Sequence, residues 1–321
     1  MDPLILLAAA EKPYGIIGLL FGLLVVGLLV INWWSRTGTI ARGTVKEAIR
    51  QPAFVLTLVF TVLFLVALKY IPFFAGKDET KFYIECCLAT ILMSGMSLGI
   101  WLASTSVADE IEGKTAMTLL SKPINRRQFV LGKYLGIMQA LLILVFVCGT
   151  LLYFFTYEKT GYDAREASSG RLDFVYWTKL SWLPFQVPTA VPQRWEMAIR
   201  VIPGLTLIFM EIAVMTAISV AISTRVPMLV NVMTCLTIFV VGHLTTVLVQ
   251  STLKDKVFVT FIARLLATVL PTLESFNMDA AIATGRTIPA DYIGWSAVYC
   301  AAYVTAAILL GFILFEDRDL A

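Results

Sequence analysis

The chain is poor in charged residues and in histidine. Of its 321 residues, 15% are Asp, Glu, Lys or Arg, and the formal net charge is only +3, whereas an average soluble domain has about 25% charged residues. The basic residues are spread over short segments and form no patch, so we expect no DNA or RNA partner. We expect no bound metal either, because a metal site needs clustered ligands and the chain has a single histidine.

Cysteines are also few, and none lies in a long polar segment where the disulfides of a secreted protein would be expected. Each of the five falls inside an apolar run. We therefore expect them to pack as small hydrophobic side chains. The residues concerned are Cys86, Cys87, Cys148, Cys235 and Cys300.

Hydrophobic residues, in contrast, make up 59% of the chain and are concentrated in long runs. A helix that crosses a bilayer needs about 20 mainly apolar residues. Seven runs meet this length, and they predict an all-α polytopic membrane protein with about seven transmembrane helices. The runs cover residues 14–34, 54–74, 83–105, 130–156, 203–225, 228–250 and 292–315.

Two shorter apolar stretches are not expected to be spans. Residues 257–270 are interrupted by Arg264 and followed by Pro271, which ends a helix, so this stretch is expected to be re-entrant or interfacial. Residues 4–10 resemble the core of a signal peptide, but the usual preceding basic residues are absent. The first long run is therefore expected to be a retained span.

Basic residues in short loops mark the cytoplasmic side of a membrane protein. They occur in residues 35–53, between the third and fourth runs, and between the fifth and sixth runs. With seven spans these places share one side, so the N-terminus is expected outside and the C-terminus in the cytoplasm. We expect a multi-pass protein of the plasma (inner) membrane, with extracytoplasmic loops at 157–202 and 251–291. The basic residues are Arg36, Arg42, Lys46, Arg50, Lys114, Lys122, Arg126, Arg127, Lys133 and Arg225.

The loop at 157–202 contains Trp177, Trp182 and Trp195 together with three prolines. Prolines interrupt helices, and tryptophan is common where water meets lipid. The loop therefore either contacts a substrate or forms a cap at the membrane surface.

Residues 39–51 carry basic side chains at helical spacing, namely Arg42, Lys46 and Arg50, and Pro52 follows them. Apolar residues occupy the other faces. This pattern is typical of a helix that lies in the membrane surface, with its basic side toward anionic lipid headgroups. The alternative is an ordinary positively charged loop.

A charged segment, residues 108–136, separates the third and fourth runs. Gly113 and Pro123 bracket a stretch that is too short to cross a bilayer but long enough for a small helix with an apolar flank. Asn125 and Gln128 have the spacing of a capping box, which predicts that a new helix starts here.

Residues 108–115 nearly match the phosphate-binding P-loop pattern, with alanine in place of the first glycine. A P-loop follows a strand and directs backbone N–H groups at phosphate. Here a membrane helix precedes the residues, and Asp109, Glu110 and Glu112 would repel an anion. We therefore expect the chain to bind no nucleotide and to have no ATPase site.

The same segment resembles the cytoplasmic coupling loop of ATP-binding-cassette (ABC) transporter permeases of the type-2 export family. The C-terminal residues 315–320 are similar to the usual ending of that family. Type-2 permeases commonly have six spans, so residues 36–321 would form the permease domain and residues 1–35 an extra N-terminal transmembrane helix. The matching residues are Glu110-Ile111-Glu112-Gly113, Thr115, Leu119-Leu120-Ser121, Pro123-Ile124, Arg126 or Arg127, and Gly132-Lys133.

The resemblance implies a membrane subunit of an ATP-driven export complex. A separate ABC ATPase subunit would bind ATP and magnesium, and a second copy of the chain or a related permease would complete the membrane part. Residues 39–51 would be the elbow helix of the family. The residues that would couple the chain to the ATPase are Glu110, Glu112, Gly113, Thr115, Leu119, Leu120, Pro123 and Arg126.

Two ionisable residues, Glu211 and His243, lie deep within the fifth and sixth runs. At about 1.5 Å per residue, both are roughly 23 Å from the turn at Val226 and Pro227, in the outer half of the membrane. Adjacent antiparallel helices would bring them together, either beside the substrate path or as a structural hydrogen bond between helices. No accompanying serine or aspartate has the spacing of an intramembrane hydrolase, so neither is expected to be catalytic.

Export from the cytoplasm or the inner leaflet is the expected function, and the substrate is open. A non-transporting assembly or mechanical-signalling subunit of an ABC complex would have much the same sequence. An ion-driven secondary transporter would show intramembrane acids or broken helices in matching halves, and no internal repeat is evident.

Overall fold

Helices make up most of the structure, a computed structural model that describes residues 11–71, 79–108, 125–166, 174–179, 186–250, 270–284, 286 and 288–316. In chain order, the described elements are α1 (Glu11–Trp34), α2 (Arg36–Arg50), α3 (Pro52–Tyr70), α4 (Glu79–Ala103), a π-helical turn (Ser104–Ala108), α5 (Arg126–Glu166), β1 (Val175–Lys179), β2 (Gln186–Ala190), α6 (Pro192–Ile199), α7 (Val201–Ser223), α8 (Met228–Gln250), a 3₁₀ turn (Leu273–Phe276), α9 (Asp279–Ala283) and α10 (Ala290–Glu316).

Five stretches of helix are long and apolar enough to cross a membrane. The outside of the bundle is also apolar: on α3, Leu56 is 68% exposed and Phe60 is 66% exposed. Contiguous exposed apolar surface of this kind is rare on soluble proteins. The chain is therefore a helical polytopic membrane protein, as the sequence predicts. The five stretches are Pro52–Tyr70, Glu79–Val107, Arg126–Gly161, Pro192–Ser223 and Ala290–Glu316.

The first and sixth predicted runs also form helices, although they are not among these five. The chain bends sharply after the first run: Ile17–Asn32 makes an angle of 104° with Arg36–Arg50. The amide side chains of Asn32 on α1 and Gln139 on α5 exchange two hydrogen bonds, of 3.1 and 3.2 Å. These bonds hold α1 against the bundle.

Residues 39–50 are helical and belong to α2. Ser35 caps this helix, because the Ser35 hydroxyl accepts a hydrogen bond from the Gly38 N–H at 3.0 Å. Gly38 is required at the bend, since a Cβ there would overlap the carbonyl oxygen of Ile31. The helix has a buried face of small residues, Thr37, Gly38, Ala41, Thr44 and Ala48, while Arg42, Lys46 and Arg50 are exposed.

α2 packs on the first turns of α5 through two glycines. A Cβ at Gly132 would lie 2.8 Å from Ile40 Cβ, and a Cβ at Gly136 would lie 2.5 Å from Thr44 Cβ. Both distances are too short for a side chain. Between the glycines, Lys133 is buried, and its Nζ lies 3.7 Å from Glu47 Oε2 on α2.

The core of the bundle is formed around α7, which contacts α4, α5 and α10. Glycines again allow close packing. A Cβ at Gly95 of α4 would lie 2.5 Å from Ile212 Cδ1, and one at Gly99 would lie 2.6 Å from Thr216 Oγ1. Small residues at helix contacts are common in membranes, where backbones approach each other closely.

The predicted outer loop, 157–202, contains more regular structure than the sequence indicates. α5 continues to Glu166, which makes it 41 residues long, or about 60 Å. The antiparallel hairpin β1–β2 follows, with Trp177 opposite Pro188, and then α6 begins at Pro192. Proline is tolerated in the first turn of a helix and in a strand with an open edge, so these prolines do not prevent regular structure.

Ion pairs connect the helix ends on the side of this loop. Lys69 Nζ of α3 lies 2.6 Å from Glu158 Oε2 of α5, and Lys159 Nζ lies 3.7 Å from Glu79 Oε2 of α4. Glu158 and Lys159 lie near the C-terminal end of α5. The ion pairs therefore lie at the opposite end of this long helix from Arg126, where α5 begins.

Candidate functional site

Seven of the eight predicted coupling residues lie outside the described residues, because they fall in residues 109–124. Residues 4–10, most of the apolar stretch 257–270 and the C-terminal residues 317–320 also lie outside the described residues. The structure does describe both flanks of residues 109–124. The seven coupling residues are Glu110, Glu112, Gly113, Thr115, Leu119, Leu120 and Pro123.

The downstream flank begins with the predicted cap. The backbone N–H of Asn125 donates to Gln128 Oε1 at 3.3 Å, and α5 starts at Arg126. This is the glutamine half of a capping box. The predicted helix start is therefore confirmed.

Arg126, the eighth predicted coupling residue, holds the end of α10. Its Nη1 donates to the carbonyl oxygens of Phe315 and Glu316, both at 3.0 Å. Its guanidinium lies 5.6 Å from the centre of the Phe315 ring. The last carbonyls of a helix lack partners within the helix, and a cation there also interacts favourably with the helix dipole.

A second arginine reaches the same helix end from the turn between α7 and α8. Arg225 Nε donates to Leu314 O at 2.8 Å. The start of α5, the α7–α8 turn and the end of α10 therefore meet on one side of the bundle. The distribution of basic residues in the sequence predicts a shared side for the start of α5 and the α7–α8 turn, and the expected seven spans put the C-terminus on that side as well.

The upstream flank contains a buried polar cluster that the sequence patterns did not predict. Asn231 of α8 donates from Nδ2 to Ser104 Oγ at 2.8 Å and to Ser219 Oγ at 2.9 Å. The Cys235 thiol donates to Asn231 Oδ1 at 3.4 Å, and Asn231 is fully buried. The available signal was an isolated asparagine in an apolar run, since polar side chains there usually bond to a neighbouring helix.

Ser104 belongs to the π-helical turn Ser104–Ala108 that ends α4. A π-helical turn departs from the regular hydrogen-bond ladder of the α-helix and is frequent at functional sites. Asn231 thus connects the irregular end of α4 to α7 and α8, directly before residues 109–124.

The structure brings Glu211 and His243 together. His243 Nε2 lies 3.5 Å from Glu211 Oε1, and the two side chains are 23% and 1% exposed. His243 Nδ1 lies 3.1 Å from Phe239 O. Because a carbonyl oxygen only accepts hydrogen bonds, we assign a proton to Nδ1. The remaining ring nitrogen, Nε2, then faces Glu211.

Residues 271–284, here called the wedge, pack against the bundle next to this pair. A Cβ at Gly242 would lie 3.0 Å from Pro271 O and 3.1 Å from Leu273 Cδ1. Thr272 N and Oγ1 donate to Tyr299 Oη of α10 at 3.0 and 3.2 Å. The sequence predicts an outer loop for these residues, but they pack against transmembrane helices.

The wedge carries two carboxylates, those of Glu274 and Asp279. Glu274 and Asp279 both interact electrostatically with Glu211. Burial raises the pKa of Asp279 to about 6, and the charge of Glu85 on α4 adds to this increase. Asp279 therefore titrates near neutral pH.

No group of three or more His, Cys, Asp or Glu side chains in the described part of the chain is arranged to hold a metal ion. All five cysteines are free thiols, and they are buried or half-buried. The cysteine prediction of packed small side chains is therefore confirmed.

No family model matches the chain, and no curated protein matches it significantly. The resemblance of residues 108–136 to type-2 ABC permeases therefore stays a prediction. The packing of the two flanks and the buried ionisable residues are the structural basis for a functional proposal.

Proposed function

We propose that the chain is the transmembrane permease subunit of an ABC exporter and has no ATPase site of its own. A separate ABC ATPase subunit, with ATP and magnesium, would supply the energy. The main supporting observation is that both flanks of residues 109–124 pack against, or form hydrogen bonds with, several helices. A force applied to these residues would therefore act on much of the bundle.

The downstream flank, the start of α5, contacts α2 by close packing and the end of α10 by hydrogen bonds. Gly132 and Gly136 hold α5 against α2, and Arg126 holds α5 against the end of α10. On the upstream flank, Asn231 connects the π-helical turn to α7 and α8. Movement of an ATPase against residues 109–124 would be transmitted as a tilt of α4 and α5, because closely packed helices move as rigid bodies.

The proposed topology has seven spans, with α1 and α8 added to the five long apolar helices. The side on which the start of α5, the α7–α8 turn and the end of α10 meet carries the short basic segments, so it would face the cytoplasm. The N-terminus would then be extracytoplasmic. α2 would be the elbow helix, with exposed Arg42, Lys46 and Arg50 directed at anionic headgroups.

The substrate path would lie between this chain and a second copy of it or a related permease. Two-fold pairing is the commonest arrangement of homo-oligomers. Glu211 and His243 would lie in the outer half of that path. Buried ionisable pairs in membrane proteins usually face the bundle interior or a cavity, which fits the 1% exposure of Glu211.

Co-purification from the native membrane tests the assembly. The full chain, carrying an affinity tag, is expected to retain an ABC ATPase in a fixed ratio. Replacing Glu110 and Glu112 by lysine should remove the ATPase, because reversed charges at an interface are repulsive. Glu196→Lys, an exposed change on α6, is the matched control and should retain it. Absence of any ABC ATPase from the wild-type preparation would contradict the proposal.

The Glu211–His243 pair favours one alternative, an ion-driven secondary transporter. Such a protein would carry substrate in vesicles that contain no ATPase, driven by a proton gradient. The proposed exporter would transport only with its ATPase and ATP. A non-transporting mechanical subunit would bind the ATPase and respond to ATP, but it would move no substrate under either condition.

A further inference from the structure

Two arginines hold the C-terminal end of α10 from two different places in the bundle. Arg126, at the start of α5, donates from Nη1 to the carbonyl oxygens of Phe315 and Glu316, both at 3.0 Å. Arg225, in the turn between α7 and α8, donates from Nε to Leu314 O at 2.8 Å. The last carbonyls of a helix have no partner within that helix. These two arginines and the three carbonyls are here called the C-terminal clamp.

Close packing beside the clamp holds α10 between α5 and α7. The Phe315 ring is buried and stacks on the Phe129 ring of α5, with 5.7 Å between the ring centres. A Cβ at Gly311, one turn earlier on α10, would lie 3.2 Å from Ala221 Cα on α7 and 3.6 Å from Val130 Cγ1 on α5. A shift of α10 along α5 would therefore break both the ring contact and the hydrogen bonds of the clamp.

A third arginine at this end of the bundle makes a weaker contact. Arg127 Nη2 lies 3.5 Å from Glu316 Oε2, and the two side chains are 70% and 64% exposed. Exposed ion pairs contribute little, because water and salt screen the charges. Arg126 and Arg225 bond to helix carbonyls instead, where a cation also interacts favourably with the helix dipole. The clamp therefore depends on these two arginines more than on positive charge in general.

The clamp is close in the chain to residues 109–124. Arg126 is the second residue after this segment, and α5 begins with it. The resemblance to type-2 permeases implies that Arg126 couples the chain to an ATPase. In the structure, however, Nη1 of Arg126 bonds to α10 within the chain. A displacement of residues 109–124 would therefore act on α10 as well as on α4 and α5.

We propose that Arg126 and Arg225 are positioning residues that make α10 move together with the start of α5. The source of the movement, an ATPase acting on residues 109–124, rests on the proposed function. The route to α10 rests on the contacts of the clamp. Closely packed helices move as rigid bodies rather than deform continuously. Because α10 also packs along α7, the same movement reaches the helix at the core of the bundle.

Hydrogen exchange of the purified full chain tests the clamp without an ATPase. In Arg126→Ala and in Arg225→Ala, the amides in the last turn of α10 are expected to exchange about fivefold faster than in the wild type, as the loss of a typical hydrogen bond implies. Arg127→Ala removes the same charge one residue away and should have a smaller effect. Arg286→Ala, a change at an exposed arginine before α10, is the control and should exchange as the wild type does.

The complex of chain and ATPase tests the transmission. A non-hydrolysable ATP analogue is expected to change hydrogen exchange in α5 and α10 of the wild type, but only in α5 of Arg126→Ala and Arg225→Ala. Both variants should retain the ATPase in the wild-type ratio and hydrolyse ATP about fivefold more slowly, a loss within the range known for mutations that alter coupling between sites. A purely structural role would lower Tm without separating the response of α10 from that of α5.

Three outcomes in the complex would overturn the proposal. The first is a response of α10 to the analogue that persists in both variants. The second is loss of the ATPase from Arg126→Ala, which would make Arg126 a direct contact. The third is an equal loss of rate in Arg127→Ala, which would assign the effect to charge at the ATPase surface. Arg126→Gln, which keeps N–H donors without the charge, is judged by the same criteria if Arg126→Ala does not fold.

Failure of the proposed function has a different signature. Absence of any ABC ATPase from the wild-type preparation would contradict the source of the movement, while faster exchange in the variants of the chain alone would still show that the clamp joins α10 to α5. Wild-type exchange at the end of α10 in both Arg126→Ala and Arg225→Ala would overturn the clamp, whether or not an ATPase is bound.

Discussion

At the scale of single residues, polar side chains within the apolar helices determine which helices lie side by side. Asn231 is fully buried and bonds to Ser104 and Ser219 on two other helices. Lipid offers no substitute partners for these groups. The asparagine therefore fixes the relative positions of α4, α7 and α8 near the end of α4.

We expect Asn231→Ala to destabilise the protein by about 1 kcal/mol, because hydrogen bonds between helices in membranes typically contribute that much. Unfolding of the purified protein at increasing concentrations of a denaturing detergent measures the change in the free energy of unfolding. Thr237→Ala on the same helix is the control, since Thr237 is exposed and its hydroxyl donates within α8, to Met233 O. Equal stability of the two variants would show that Asn231 does not hold these helices together.

Asp279 predicts a dependence of stability on pH. Its pKa is raised from 3.8 to about 6, so the folded state binds the proton more tightly than the unfolded state. The resulting stabilisation is fully present below pH 3.8 and is lost as the pH rises through about 6. Asp279→Asn should reduce the loss of stability between about pH 4 and pH 8 by up to about 3 kcal/mol. An identical pH profile for variant and wild type would contradict this.

At the scale of the elements, close contacts at glycine decide how the helices fit together. α2 lies on α5 because Gly132 and Gly136 leave room for Ile40, Ala41 and Thr44. The same contact joins the basic helix α2 to the helix that follows residues 109–124. These two elements are therefore expected to move together.

Gly136→Val should separate α2 from α5. Its Cβ would lie 2.5 Å from Thr44 Cβ and 2.8 Å from Ala41 O, and overpacking of this kind costs about 1–3 kcal/mol. Loss of thermal stability and faster proteolysis at α2 would report the separation. Gly43→Ala on α2 is the matched control, because no atom lies within 4 Å of its added Cβ. A variant with native stability and an unchanged proteolytic pattern would contradict the packing role.

The sequence predicts elements better than it predicts contacts between them. Long apolar runs determine helices locally, so each of the seven runs is helical over nearly all of its described residues. The spacing of Asn125 and Gln128 likewise marks the start of α5 correctly. The packing of the wedge and the Asn231 cluster depend on residues far apart in the chain, and apolar periodicity contains no information about such pairs. Glu211 and His243 were predictable because their distances from one shared turn fix their depth.

At the scale of the whole molecule, the two ends of the bundle have different chemistry. One end collects the start of α5, the α7–α8 turn and the end of α10, joined by Arg126 and Arg225. The other end carries the hairpin and the ion pairs of Lys69 and Lys159. The proposed coupling to an ATPase would act at the first of these ends, where residues 109–124 are flanked by α4 and α5.

The rate of ATP hydrolysis by the purified complex of chain and ATPase tests the central claim most directly. Replacing Glu110 and Glu112 by lysine should lower the rate stimulated by the chain about tenfold or more, which corresponds to about 1.4 kcal/mol of lost interaction. Glu196→Lys should leave the rate unchanged, and both variants should unfold at the wild-type temperature. A rate that is unaffected by the double charge reversal would show that residues 109–124 do not couple this chain to an ATPase.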